Sequence, residues 1–134
     1  MLVKDVKGRT VARIYTAGEL QFNDNPWLTE NTDGIQVAHI RCINYKTEFP
    51  AHRHIMRPRL ANYTEEAIYV VQGTLNVTIY DDEKSLLTQT ELTPGSLVVT
   101  HRGYHEYKAT KETVFLEFKN GPFTSVTEDK TYLT

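Results

Sequence analysis

Cysteine is almost absent from this chain. Its 134 residues contain one cysteine, Cys42. A lone cysteine cannot form an internal disulfide, so we do not expect a disulfide-stapled secreted scaffold. We expect Cys42 to be a small buried apolar residue.

Long apolar runs and an excess of one charge are absent as well. Residues 1–10 contain no apolar run of signal-peptide length, and no stretch approaches the roughly 20 apolar residues of a membrane span. The 15 basic and 17 acidic side chains give a net charge of −2, which offers no electrostatic surface for nucleic acid. We therefore expect a cytoplasmic protein with no membrane or nucleic-acid partner.

Helical periodicity is scarce, whereas short β-branched and aromatic runs recur between turn residues. The predicted strands are 11–14, 35–44, 67–71, 74–80, 86–92, 97–100, 105–109 and 113–119. We expect a loop around Trp27 over residues 22–33, and a hairpin-like turn at Gln72-Gly73 between two of the strands. This pattern is typical of one all-β sandwich or barrel domain.

The strongest local motif is His52-x-His54. Residues i and i+2 of a strand point to the same face, so both imidazoles would enter one cavity and could chelate one metal ion. The chain then continues with further motif positions: Glu66, Gly73 after six intervening residues, Pro94, Gly95, Gly103 and His105.

These motifs resemble those of the cupin family, whose first motif orders two His, a Glu and a Gly. The second motif of that family runs from a Pro-Gly turn through an apolar strand to a Gly turn and one more His. The resemblance covers residues 51–107 well. It implies an all-β fold, a cupin-type double-stranded β-helix (jelly-roll barrel), as a single domain over residues 1–134, with a barrel core over about 35–120 and a tail over 121–134. The metal ligands that it implies are His52, His54, Glu66 and His105.

Two departures from the family pattern leave alternatives open. Eleven residues separate His54 from Glu66, where the usual motif has three or four, although a small single-domain subgroup of cupins has a similar insertion. Members of that subgroup are often found beside surface-polysaccharide genes. The second motif is one residue shorter than usual, which leaves His101 as a rival to His105. Glu65 is the alternative to Glu66 as the inward carboxylate.

The implied ligand set is three neutral imidazoles and one carboxylate. Such a mixed site suits one divalent transition metal (Fe, Mn, Ni, Co or Zn) and does not select among them. Strand alternation places Ile68 and Val70 on the face of Glu66, which predicts an apolar wall. We expect Glu106 or Tyr107 to move protons during a reaction. The expected substrate-binding residues are Arg57, Arg59, Tyr63 and Lys119.

This chemistry favours metal-assisted isomerisation or epimerisation of a small polar substrate, such as a sugar or sugar derivative. Two alternatives stay open. Tight ligand binding without turnover would indicate a non-enzymatic metal- or ligand-binding module, and oxygen consumption would indicate an Fe(II)-dependent dioxygenase. The resemblance also implies a homodimer formed through a second apolar face. That face is predicted to contain Tyr69, Val71, Leu75 and Val77.

Overall fold

Antiparallel strands in two sheets make up most of the regular secondary structure. The computed structural model describes residues 1–40, 48–58, 61–121 and 125–134. The strands are β1 (Leu2–Lys4), β2 (Thr10–Tyr15), β3 (Glu66–Gln72), β4 (Leu75–Tyr80), β5 (Leu86–Leu92), β6 (Leu97–Thr100), β7 (Tyr104–Ala109) and β8 (Val114–Lys119). One sheet has the order β1-β2-β6-β3-β8 and the other the order β5-β4-β7. The all-β class is thereby confirmed, and the described strands do not close into a single barrel.

Two short helices accompany the sheets, α1 (Ala17–Phe22) and α2 (Val126–Asp129). Helix α1 begins at a capping box in which Thr16 Oγ1 accepts from the Glu19 N–H (3.2 Å) and the Glu19 carboxylate accepts from the Thr16 N–H (2.7 Å). The Thr-x-x-Glu spacing was available in the sequence as a helix-start signal, but six residues are too few to show a helical period. Neither helix is long and apolar enough to cross a membrane, as far as the described residues extend.

Apolar alternation located most of the strands. Strands β5 and β6 have the predicted bounds, and β2, β3, β4, β7 and β8 lie within a residue or two of theirs. The three-residue strand β1 was missed because it is too short to show alternation. The wrong prediction is the strand over 35–44: residues 35–40 contain only an isolated bridge between Trp27 and Ala38, and residues 41–47 lie outside the described part.

The N–H groups of Ile35 and Val37 are bound by side chains instead of by a neighbouring strand, whereas the Val37 carbonyl accepts from the N–H of Leu28 (2.9 Å). The N–H of Ile35 donates to Glu65 Oε2, and the N–H of Val37 donates to Thr29 Oγ1 (2.9 Å). Alternation in this stretch reflects packing of Ile35 and Val37 against an apolar cluster. The same pattern therefore arose without a strand ladder.

Strands β3 and β4 do not form the expected hairpin, because the chain changes sheets between them. Gly73 makes this corner with φ +83°, and a Cβ there would collide with the carbonyl oxygen of Glu112. The alternation of inward and outward side chains along β3 therefore does not predict which residues of β4 face inward. Tyr69 and Val71 are exposed as predicted, but Leu75 and Val77 are fully buried, so their assignment to an exposed second face was wrong.

The core has two parts, one on each face of the five-stranded sheet. The inner core lies between the two sheets and includes Val11, Ile14, Ile68, Val70, Leu75, Val77, Ile79, Leu92 and Val98. The outer core lies under α1 and the following loop and comprises Leu20, Leu28, Ala67, Leu97 and Val99. Each fully buried aliphatic side chain contributes about 1.5–3 kcal/mol through burial.

A tight turn before β2 is organised by Asp5. Its carboxylate accepts from the N–H groups of Lys7 and Arg9 (2.9 Å each) and from Arg9 Nε (2.6 Å). Burial alone would raise the pKa of Asp5, but the hydrogen bonds from Arg9 and Lys7 outweigh it and lower that pKa below its usual value. This carboxylate is therefore held in its charged form.

Candidate functional site

Two consecutive carboxylates, Glu65 just before β3 and Glu66 at its first position, face opposite sides of the sheet. Glu66 lies on the face of Ile68 and Val70, toward the inner core, and Glu65 shares the face of Ala67, toward the outer core. Both side chains are buried. The predicted apolar wall of Ile68 and Val70 beside Glu66 is present, with both residues at 0% exposure.

Four residues meet around Glu66 at the edge of the space between the sheets, and we call them the inter-sheet site: Glu66, His105, Tyr107 and Lys119. Glu66 pairs across the sheet with Lys119, so both side chains emerge on one face. In the other sheet His105 and Tyr107 pair with Ile79 and Val77, which are core residues, so they also face inward. Strand register therefore brings these side chains together from β3, β7 and β8.

The distances within the inter-sheet site are short. His105 Nε2 lies 3.5 Å from Glu66 Oε1, and Lys119 Nζ lies 3.5 Å from Glu66 Oε2 and 2.8 Å from Glu117 Oε1. The rings of His105 and Tyr107 have centroids 5.0 Å apart. Glu66 Oε1 and the Tyr107 hydroxyl are both buried, and neither makes a hydrogen bond of normal distance and angle. A buried carboxylate oxygen of this kind requires an explanation.

The environment also shifts the titration of these groups. Burial lowers the pKa of His105, against the opposing influence of the Glu66 charge. Burial raises the pKa of Tyr107 well above its ordinary value, and the negative charge of Glu66 adds to that shift. The hydrogen bond to Glu117 is the main cause of a raised pKa at Lys119. The site thus favours a neutral imidazole, a protonated phenol and a charged ammonium group.

The other two predicted ligands, His52 and His54, lie on an exposed segment. This segment is not a strand, contrary to the expectation from their spacing. Their ring centroids are 5.4 Å apart, and His52 Nδ1 lies 2.8 Å from the carbonyl oxygen of Pro50. In the structure as described, no contact joins either ring to the inter-sheet site. The complete four-ligand set stays a prediction.

The remaining predicted site residues are dispersed. Glu106 faces away from His105 and Tyr107, on the outer surface of the three-stranded sheet, where it lines a polar cleft. Tyr63 lies beneath the guanidinium of Arg102, 5.1 Å from ring centroid to Cζ, and is half-exposed. Arg57 is exposed, and Arg59 lies outside the described residues. Of the predicted catalytic and substrate residues that the structure describes, only Tyr107 and Lys119 thus reach the inter-sheet site.

A second polar group lies on the opposite face of β3, and we call it the outer cluster: Asp33, Glu65 and His101. His101 Nδ1 lies 2.9 Å from Glu65 Oε1 and 3.9 Å from Asp33 Oδ1. The second oxygen of each carboxylate is held by a backbone N–H, from Glu30 to Asp33 (2.7 Å) and from Ile35 to Glu65.

The outer cluster could hold a metal ion. Among the described residues, it is the group of three or more His, Cys, Asp or Glu whose ligand atoms all lie within 4.8 Å of one another. The cluster also attaches the loop after α1 to the sheet. Sequence analysis named His101 and Glu65 only as alternatives and missed Asp33, because a loop carboxylate has no local pattern that indicates its position.

Comparisons with known proteins give no relative. No protein-family model, no curated protein and no solved structure matches the chain.

Proposed function

We propose that this protein is a metal-binding cupin that holds one divalent transition metal at the inter-sheet site. Glu66 and His105 are its inner ligands, and His52 and His54 supply the other two from the exposed segment. The observation that carries the proposal is the buried Oε1 of Glu66, which accepts no hydrogen bond and lies 3.5 Å from His105 Nε2.

The donor set fits such an ion. Metal–ligand bonds of about 2.0–2.2 Å from imidazole nitrogen and carboxylate oxygen require the two donor atoms to lie within roughly 3–4 Å of each other. The lowered pKa of His105 favours the neutral imidazole, which is the form that binds metal. A buried carboxylate oxygen that accepts no hydrogen bond gains most from a cation, since the contacts to His105 and Lys119 at 3.5 Å offset only part of its desolvation.

For the reaction we propose isomerisation or epimerisation of a small hydroxylated carbonyl compound. A bound divalent ion would polarise a carbonyl oxygen and acidify the neighbouring C–H. Tyr107 is held protonated by its raised pKa, so it donates a hydrogen bond or a proton to a developing oxyanion. Lys119 places a positive charge at the same edge, where it orients an oxygen of the substrate.

The position of Glu106 favours one alternative. This carboxylate, expected to act as a base, is on the wrong side of β7 to reach a substrate at the inter-sheet site. A site with an acid and no facing base beyond Glu66 and Glu117 is compatible with a module that binds a ligand without turning it over. Aldose–ketose or epimer interconversion, followed by proton NMR with metal-loaded protein, distinguishes the two functions.

Metal stoichiometry of purified variants tests the binding proposal. We expect one equivalent in the wild type and a loss of affinity greater than about 100-fold in Glu66→Gln and His105→Ala, since even outer partners of a ligand are worth about 10–100-fold. Glu106→Gln, one position along β7 and facing the other way, is the matched control and should bind normally. Retention of a full equivalent by Glu66→Gln at wild-type affinity would exclude the inter-sheet site.

A His52→Ala/His54→Ala variant tests the contribution of the exposed segment. If both rings bind the ion, this variant should lose affinity as strongly as His105→Ala does. Unchanged affinity would restrict the protein ligands to the inter-sheet residues.

We also propose a homodimer that covers the exposed apolar side chains at the β3–β8 edge. Tyr69, Leu116 and Phe118 lie on one face of this edge, as their register shows, and all three are at least 38% exposed. Contiguous exposed apolar surface is typical of an interaction site. Sedimentation should give a dimer for the wild type and a monomer for Phe118→Glu, and a monomeric wild type would contradict this.

A further inference from the structure

A polar cleft lies on the outer side of the five-stranded sheet, away from the inter-sheet site. It has a volume of about 480 Å³ and lies between the outward side chains of β2 and the loop that follows α1. We call it the Trp27 cleft, and its lining residues are Arg13, Tyr15, Asn23, Asn25, Trp27, Leu28, Thr29, Glu30 and Asn31. None of them belongs to the inter-sheet site.

Trp27 is exposed at a rigid position. Its side chain is 55% exposed, although tryptophan is usually among the more buried residues. The backbone on both sides is held, because the N–H of Leu28 donates to the Val37 carbonyl (2.9 Å) and the N–H of His39 donates to the Pro26 carbonyl (2.6 Å). The adjacent Leu28 is buried in the outer core. The indole is therefore presented to solvent by a fixed backbone rather than by a loose loop.

The asparagines beside Trp27 keep their amide donors available. The Oδ1 atoms are used by the chain itself: Asn23 accepts from the Asn25 N–H (3.0 Å), and Asn25 accepts from the Trp27 N–H (3.1 Å). Within the described residues, the NH₂ groups of both side chains make no hydrogen bond, and neither does the side chain of Asn31. Three amide groups thus line the cleft with donors that no described residue satisfies.

Arg13 adds a guanidinium at the bottom of the cleft. Its Nε is buried without a hydrogen-bond partner. Its NH2 group lies 3.5 Å from Glu30 and 3.8 Å from Asp33, so two carboxylates offset its positive charge. The cleft therefore combines hydrogen-bond donors and acceptors without a net positive charge.

We propose that the Trp27 cleft binds a neutral saccharide. A pyranose ring presents an apolar C–H face that packs on the exposed indole, while its hydroxyl groups both donate and accept hydrogen bonds. The asparagine amides meet the hydroxyl oxygens, and Glu30 accepts from a hydroxyl. A phosphate or carboxylate would be repelled by Glu30 and Asp33, and an apolar ligand would leave the amides unsatisfied.

The chain contains one tryptophan, so intrinsic tryptophan fluorescence reports on this cleft alone. The experiment titrates full-length protein with N-acetyl-D-glucosamine, D-galactose and maltose, and with glycerol and inorganic phosphate as comparators. We expect a saturable change in emission with at least one of the three sugars, with a dissociation constant of the order of 1 mM, and no saturable change with glycerol or phosphate.

Matched variants assign the signal to the proposed contacts. Asn31→Ala removes a side chain that makes no hydrogen bond in the described structure, and Asn25→Asp keeps the oxygen that caps the turn but removes the amide donor. Both substitutions should raise the dissociation constant of the sugar that binds by at least fivefold. Asn76→Ala, on the outer surface of the three-stranded sheet, should bind like the wild type.

Several results would overturn the proposal. These are a linear response to every sugar, saturation by phosphate, or binding that is equal in wild type, Asn31→Ala and Asn25→Asp. Calorimetry with Trp27→Phe and Trp27→Ala gives a readout that does not depend on fluorescence. The Trp27→Phe variant should retain part of the affinity for the sugar, and Trp27→Ala should lose it. Equal affinity of the two variants would show that the sugar ring does not pack on residue 27.

Discussion

Replacing Glu66 by glutamine should stabilise the metal-free protein and remove its response to metal. In the metal-free state Oε1 is buried with no hydrogen bond, which costs about 1–3 kcal/mol. A glutamine amide in its place can donate a hydrogen bond to the neutral His105 imidazole, whose Nε2 lies 3.5 Å away. The contacts to His105 and Lys119, both at 3.5 Å, offset part of this cost. Lys119 keeps its closer partner Glu117 (2.8 Å) after the substitution.

The expected net gain for metal-free Glu66→Gln is therefore about 1 kcal/mol, or roughly 3–5 °C in Tm for a domain of this size. Metal at 100 times its Kd should stabilise the wild type by about 2.7 kcal/mol and should leave Glu66→Gln unchanged. Urea denaturation of both proteins, with metal and with a chelator, measures all four values.

The matched control is Glu65→Gln, one residue away on the opposite face of β3. Its side chain contacts His101 and the Ile35 N–H, so the substitution should destabilise the metal-free protein and preserve the response to metal. If Glu65→Gln loses the response and Glu66→Gln keeps it, the ion binds in the outer cluster and the reasoning above is refuted. A metal-free Glu66→Gln that is less stable than the wild type would show that its ion pairs outweigh its desolvation.

Three further predictions concern stability. Ile68→Ala, at the fully buried centre of β3, should cost about 2–5 kcal/mol in urea denaturation; a loss below 1 kcal/mol would contradict the two-sheet core. Gly73→Ala should destabilise the protein by more than about 2 kcal/mol, because residue 73 has a φ of +83° and a Cβ there would collide with the Glu112 carbonyl. Gly18 lies within α1 and has open space around it, so Gly18→Ala should stabilise the protein by about 0.5–1 kcal/mol. Equal effects of the two alanines would contradict the corner geometry. Because the pKa of Asp5 is lowered in the folded state, its contribution to the free energy of unfolding is present above its unfolded pKa of about 3.9 and is lost as the pH falls through the lower folded value. Below pH 4 the free energy of unfolding should therefore fall less steeply with pH in Asp5→Asn than in the wild type. Identical slopes in the two proteins would contradict this.

Strand alternation predicted which side chains share a face at the inter-sheet site. Because residues i and i+2 share a face, the sequence predicted that Ile68 and Val70 lie beside Glu66, and the structure confirms this. The same rule places Tyr107 on the face of His105, where the structure has it. The same rule excludes Glu106 from that face, so the sequence alone contained the information that Glu106 and Tyr107 could not act on one substrate from a single strand.

The errors come from contacts that are distant in sequence. Leu75 and Val77 are buried because the chain changes sheets at Gly73, and no local pattern indicates which sheet a strand will join. The alternating residues 35–40 lie over the outer core, with N–H groups taken by Glu65 and Thr29, which a sequence pattern cannot distinguish from a strand.

The sequence by itself determined the all-β class, most strand bounds and which residues of one strand share a face, because these follow from the two-residue period of a strand and from its turn residues. The tertiary structure decided which strands pair, and therefore that Glu66 meets His105 and Lys119 on one side while Glu65 meets Asp33 and His101 on the other. Pairing depends on the burial of surfaces from separate parts of the chain. That free energy is a property of the assembled sheets and is not encoded in any single segment.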